Sequence, residues 1–145
     1  MEQHEGFMRT ALEEASKARN EGNLGVGSVI VRDGSIVARG RNLVNATLDP
    51  TAHAETVAIR EAGPAMGQTD LAGCILYTTF QPCPMCCGAI IVSGIDTLVI
   101  GARPRPAENR WGSYRVERLL EMAGCSDKVQ VVDGVLESES SDVRY

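Results

Sequence analysis

The sequence predicts an α/β fold, a three-layer α/β/α sandwich around a mixed five-stranded sheet. Three observations predict it. A strong hairpin signal comes early, the strand-like segments after it alternate with helix-like ones, and 145 residues with 43% hydrophobic content suffice for one core. Alternation demands crossover connections, which put helices on both faces of the sheet.

Phe7, Met8, Ala11, Leu12, Ala15 and Ala18 recur at helical spacing and Gly22 stands where such a helix stops, so an amphipathic helix opens the chain. Val26 to Val31 and Ile36 to Arg39 flank Asp33-Gly34, a dipeptide that favours a tight antiparallel hairpin. A polar loop runs from Asn42 to Thr51. Ala54, Val57, Ala58 and Ala62 then predict a short helix ending at Gly63-Pro64. Ile75 to Thr79 reads as a buried third strand, and Pro84 to Ser93 as a helix whose proline is tolerated in the first turn. Leu98 to Ile100 gives a fourth strand, Tyr114 to Met122 a helix, and Val129 to Val132 a fifth strand. Pro50, Pro104 and Pro106 mark loops. Residues 1–136 form one domain, and the acidic, serine-rich residues 137–145 are expected to be a flexible tail.

The net charge of -5 and pI near 5.0 argue against a polyanionic partner, because phosphate backbones are held by clustered Lys and Arg. The start, Met1-Glu2-Gln3-His4-Glu5, lacks the pattern of a secretion signal, and no stretch approaches the roughly 18 apolar residues of a membrane span. A cytoplasmic protein without a membrane partner is the expectation. Three of the five cysteines, Cys83, Cys86 and Cys87, fall within five residues, which suits metal binding in a reducing compartment better than a disulfide framework.

The chemistry gathers at two helix starts. His53-Ala54-Glu55 opens one and Pro82-Cys83-Pro84-Met85-Cys86 the other, an H-x-E followed by P-C-x-x-C. A catalytic zinc takes three N and S ligands and leaves a fourth position for water, so His53, Cys83 and Cys86 are the candidate ligands. Thiols at a helix N-terminus ionise more readily, which favours the two cysteines there. Glu55 is the candidate proton carrier and need not touch the metal. Residues two apart do not share a helix face, so His53 and Glu55 can serve one site only if His53 lies at the cap or in the first turn. Two other readings stand beside this one: His53 as an ordinary core residue near a redox or structural CxxC, and a non-catalytic zinc-stabilised binding module closed by Cys87 as fourth ligand. Adjacent helical residues point apart, which favours Cys87 as core.

With Asp49 to Glu55, Leu76 to Thr79, Pro82 to Cys86 and Gly88 to Ile91, the chain resembles the zinc-dependent cytidine/deoxycytidylate deaminase superfamily. The likeness is to the branch of tRNA adenosine deaminase, guanine deaminase and fungal cytosine deaminase. It implies the cytidine deaminase-like version of the sandwich, one zinc ion per subunit and a homodimer or higher assembly. It also implies that Asn42, after the second strand, bonds the substrate base, the alternative being an Asx turn that caps the loop. Phe80 and Trp111, with Tyr114, are further pocket candidates, as well suited to core or interface packing. The acidic charge and short tail favour hydrolytic deamination of a free nucleobase or related aminated heterocycle, cytosine ahead of guanine. Deamination of adenosine in tRNA is the runner-up, requiring basic surface from Arg41, Arg103, Arg105, Arg110 and Arg115.

Overall fold

A computed structural model describes residues 2–144. Helix α1 (Glu2–Asn20) carries acidic residues in its first turn and basic ones in its last, matching the helix dipole, and buries Met8, Ala11, Ala15 and Ala18 along one stripe. Strands β1 (Gly27–Arg32) and β2 (Ser35–Arg41) pair antiparallel through Asp33-Gly34. Both turn residues have positive φ, 50° and 78°, which is the twist a two-residue hairpin requires. Then come α2 (Val44–Thr47), α3 (Ala54–Met66), β3 (Cys74–Phe80), α4 (Pro84–Ser93), β4 (Thr97–Ala102), a 3₁₀ turn (Pro106–Glu108), α5 (Val116–Met122), β5 (Gln130–Val132) and α6 (Glu137–Arg144).

The sheet order is β2-β1-β3-β4-β5; β1 is antiparallel to both neighbours, whereas β3, β4 and β5 are parallel. Alternation along β3 splits the core. Leu76 joins Ile30, Ala58, Ile90, Leu98 and Val116 under α3, α4 and α5. Tyr77 joins Met8, Val29, Val31, Val99 and Val135 on the opposite face, where α1 and α6 lie. The expected three-layer sandwich with a mixed five-stranded sheet is the fold observed.

Three details differ from expectation. The loop after β2 contains a single turn of helix, α2. Helix α3 continues past Gly63-Pro64 to a left-handed cap at Gly67, because proline in the last turn removes only one hydrogen bond. The segment from Glu137 is a helix rather than a flexible tail. Glu137 and Glu139 suit its first turn and Arg144 its last. It is held by close approach instead of large apolar groups: Ser140 is wholly buried against Gly101, and the end of the helix runs against Gly25. Such contacts leave no hydrophobic period to read.

Candidate metal centre and active site

His53 is the N-cap of α3, with extended φ/ψ of -79° and 158°. Its backbone is fixed by Thr56: the His53 N–H donates to Thr56 Oγ1 at 3.1 Å, and that hydroxyl donates to the Thr51 carbonyl at 2.6 Å. Cys83 is likewise the N-cap of α4, with Pro84 at the first helical position, and β3 delivers it through Phe80, Gln81 and Pro82. The Tyr114 hydroxyl braces this approach by donating to the Pro82 carbonyl at 2.6 Å.

The two caps face one another. His53 Nδ1 lies 3.5 Å from both Cys83 Sγ and Cys86 Sγ. The three donor atoms fall within 4.8 Å of one another, the one such convergence of three or more metal-capable side chains among the described residues. One imidazole nitrogen and two sulfurs form a borderline-soft set that suits zinc and disfavours magnesium or calcium. Cys87 lies outside the set, buried in the core beneath α4. The donor set is therefore the three-ligand kind that leaves a position open, rather than the closed site of a structural module.

The electrostatics follow from the geometry. The Cys83 thiol is drawn down to about 4, chiefly because Cys86 donates its S–H to it, with His53 adding to the effect against the cost of burial. Cys86 is pushed far up as that donor and by burial. His53 is raised by its hydrogen bond to Cys83. Glu55, in the first turn of α3 and 3% exposed, is pushed up to about 7 by burial, opposed by a hydrogen bond from its own backbone amide. A carboxyl balanced near neutrality beside a metal set has the properties of a proton carrier.

These groups open into a cavity of about 660 Å³, walled by Asn42, Val44 and Asn45 after β2, by Phe80 to Met85, by Glu108 to Trp111 and Tyr114, and by Arg144. Asn42 makes the Asx turn and also lines the cavity. Its Oδ1 accepts the Val44 N–H at 3.0 Å in an Asx turn, so the amide NH₂ is the end left to face a ligand. Phe80 and Trp111 both reach the cavity, and each carries a guanidinium over its ring, Arg144 at 4.4 Å and Arg110 at 4.6 Å.

Of the five arginines expected to form a basic surface, Arg41 pairs with Glu21, Arg103 with Glu117 and Asp133, and Arg105 with Glu108, leaving Arg110 as the one of the five that lines the cavity. Gln81 is tied to Arg103 at 2.8 Å. Arg144 was missed by the sequence reading, because only the folding of α6 brings it here. Thr56 was missed too, although a hydroxyl three residues after a cap is a readable signal.

The family described as the cytidine and deoxycytidylate deaminase zinc-binding region matches residues 1–102. A tRNA-specific adenosine deaminase of Bacillus subtilis (strain 168) is 39% identical over 140 residues, covering 96% of this chain and 84% of that protein. A chloroplastic tRNA(adenine(34)) deaminase of Arabidopsis thaliana is 52% identical over 96 residues, 66% of this chain but only 7% of that much longer protein. A solved structure from a study of A-to-I editing by tRNA:A34 deaminases superposes with a TM-score of 0.84 at 38% identity, covering 95% of this chain and 98% of that one. Guanine deaminase of Bacillus subtilis (strain 168) matches over a shorter stretch, 51% identical across 88 residues, 60% of this chain.

Two expectations fall here. The preference for a free nucleobase, cytosine ahead of guanine, is overturned by relatives that match nearly end to end and are tRNA-specific adenosine deaminases. The disfavour of tRNA as a partner falls with it. Net charge averages over the whole surface, whereas α6, acidic along most of its length, brings an arginine to the cavity. From its zinc-binding residues and its fold alike, the chain belongs to the cytidine and deoxycytidylate deaminase family.

Proposed function

We propose that the protein hydrolytically deaminates adenosine in a tRNA anticodon, giving inosine and ammonia. The observation that carries this reading is the near full-length match to tRNA-specific adenosine deaminases, and the cavity agrees with it: open, with an arginine over an aromatic ring on two of its walls. Phosphates and unstacked bases of single-stranded RNA are met by such groups.

The zinc held by His53, Cys83 and Cys86 supplies, when bound, the Lewis acidity that lets water ionise near neutral pH. Glu55 takes one proton from the attacking water and passes it to the ring nitrogen as the C–O bond forms, then takes the second proton from the new hydroxyl and hands it to the amine, so that the C–N bond breaks and ammonia leaves. The amide of Asn42 donates to the base and fixes which carbon faces the water. Burial keeps Glu55 from losing its proton to bulk solvent between the two transfers. Five unpaired cysteines fit a reducing compartment such as the cytoplasm. The same proposal includes self-association, which the likeness to the deaminase family implies, and sedimentation of the zinc-loaded protein tests it.

The experiment is inosine formation in an anticodon stem-loop RNA with adenosine at the first anticodon position, run beside adenine, adenosine and guanine. Inosine in the RNA, abolished in Glu55→Gln, supports the proposal; ammonia from a free base with the RNA unchanged refutes it.

A further inference from the structure

Helix α3 rests on strand backbone at one point. Ala38 and Gly40 of β2 face it, and a methyl group on Gly40 would collide with the carbonyl oxygen of Ala54 and stand 2.6 Å from the Ala58 nitrogen and 3.0 Å from the Ala58 methyl. Ala54 is the residue between His53 and Glu55, and Ala54 and Ala58 are both fully buried. Gly40 lies two residues before Asn42 on the same strand end. Its φ is not in the left-handed region, so backbone freedom gives no reason for glycine here, and closeness of approach does.

We infer that Gly40 is a positioning residue for the metal centre: its missing side chain sets the depth at which the first turn of α3 sits, and so where His53 and Glu55 stand relative to Cys83 and Cys86. To restore an ordinary 3.4 Å contact with the Ala58 nitrogen alone, a residue with a Cβ must lift that turn by about 0.8 Å, and the closer Ala54 oxygen demands more. Metal–ligand distances tolerate about 0.2 Å, and a misplacement of about 1 Å costs on the order of a hundredfold in turnover. Cys83 and Cys86 are anchored separately through β3 and α4, so they do not follow the displaced helix.

The fold supplies a matched control. Gly27, at the start of β1, makes an equally close approach to α1: a methyl there would collide with the Ala11 carbonyl and the Ala15 nitrogen and lie 2.9 Å from Glu14 Cβ. Helix α1 carries no residue of the metal set. Gly40→Ala and Gly27→Ala therefore deliver similar steric insults to two helices, of which one holds the site.

The test measures zinc affinity by chelator competition, melting temperature, and kcat and KM on the RNA for both variants. We expect both to melt lower, but only Gly40→Ala to bind zinc at least tenfold more weakly and to lose kcat more than KM. Wild-type zinc affinity in Gly40→Ala, or equal losses in the two variants, overturns the inference. Should Gly40→Ala not fold, Ala58→Gly, which removes the methyl opposite Gly40, and Ala15→Gly, an equally buried change in α1, replace the pair, with weaker zinc binding expected in the first alone and equal affinities overturning the inference. The affinity arm involves no substrate, so it stands or falls apart from the RNA reading, on which only the kcat arm rests.

Discussion

Filling the notch at Gly101 separates the role of α6 from that of the metal centre. A Cβ there would collide with Ser140 Oγ and lie 2.7 Å from Ser140 Cβ and 2.8 Å from the Thr79 carbonyl oxygen, so Gly101→Ala forces α6 outward by about 0.7 Å to regain ordinary contact. Overpacking of this kind costs about 1–3 kcal/mol. Little resists it, because eight residues do not hold a helix alone and, beyond the approach to Gly25 and Arg144 over Phe80, its ties include weak surface contacts such as Arg9 with Glu139 at 3.8 Å and Arg19 to the Asp142 carbonyl at 3.3 Å. The strain should therefore undock α6 before it melts the sheet, and Arg144 leaves its place over Phe80. Hydrogen exchange of residues 137–144 should speed up by roughly tenfold to a hundredfold, the equivalent of about 1.4–2.8 kcal/mol. Zinc content should hold, KM for the anticodon RNA should rise several-fold, and kcat should change little, since no α6 residue touches the metal set. Unchanged exchange in α6 with a lower melting temperature for the whole chain would show that the sheet absorbs the methyl; faster exchange with an unmoved KM would show that α6 is no part of the substrate wall.

Other expectations concern the centre itself. Glu55→Gln should keep the zinc and lower kcat by about 10²–10⁴, read from single-turnover inosine formation; turnover within tenfold of wild type removes Glu55 from proton transfer. In the wild type, kcat/KM should fall as pH drops and Glu55 takes up its proton, with a midpoint at or below 7, because burial raises this group and the adjacent dication lowers it. His53→Ala and Cys83→Ser should purify without zinc. For the wild type, zinc affinity should rise with pH, since Cys86 is held protonated and His53 is raised, and both must lose a proton to ligate; a pH-independent dissociation constant between pH 6 and 8 contradicts that proton accounting. Asn42→Ala should raise KM with zinc intact, and should also loosen the loop at Val44, visible as faster exchange of that amide.

Periodicity and capping made most of the fold legible. The hairpin was written in Asp33-Gly34, the strands in runs such as Ile75 to Thr79, and the site in two helix starts whose spacing required His53 at the cap or in the first turn; it is the cap. What stayed hidden depends on contacts at a distance. Nothing local to Glu137–Arg144 announces a helix, since its one wholly buried residue is Ser140 and the surface it meets is glycine. Gly40 and Gly101 look like any strand glycine until the helices that press on them are placed. Pro64 looked like a stop because sequence rules weigh a proline the same in mid-helix and in a last turn.

The mistaken substrate arose from treating net charge as a property of the site. A formal charge of -5 describes nineteen acids and fourteen bases wherever they stand. In the structure many of the acids are occupied in neutralising arginines: Glu14 and Glu21 hold Arg41, Glu117 and Asp133 hold Arg103, and Glu108 holds Arg105. The cavity itself is lined differently. Glu108 is paired and Glu55 is buried at its floor, while the guanidinium groups of Arg110 and Arg144 stand over the rings of Trp111 and Phe80. On the proposed reading, the charge an incoming strand meets is set by side chains at the cavity such as Arg110, within the roughly 8–10 Å over which salt leaves a field intact, and not by an acid such as Glu139, which faces Arg9 of α1. Neutralising Arg110 should therefore flatten the salt dependence of RNA binding by about one phosphate contact. Neutralising Glu139, which faces Arg9, should leave that slope as it is, and a slope that tracked the net charge in both experiments would restore the argument from composition.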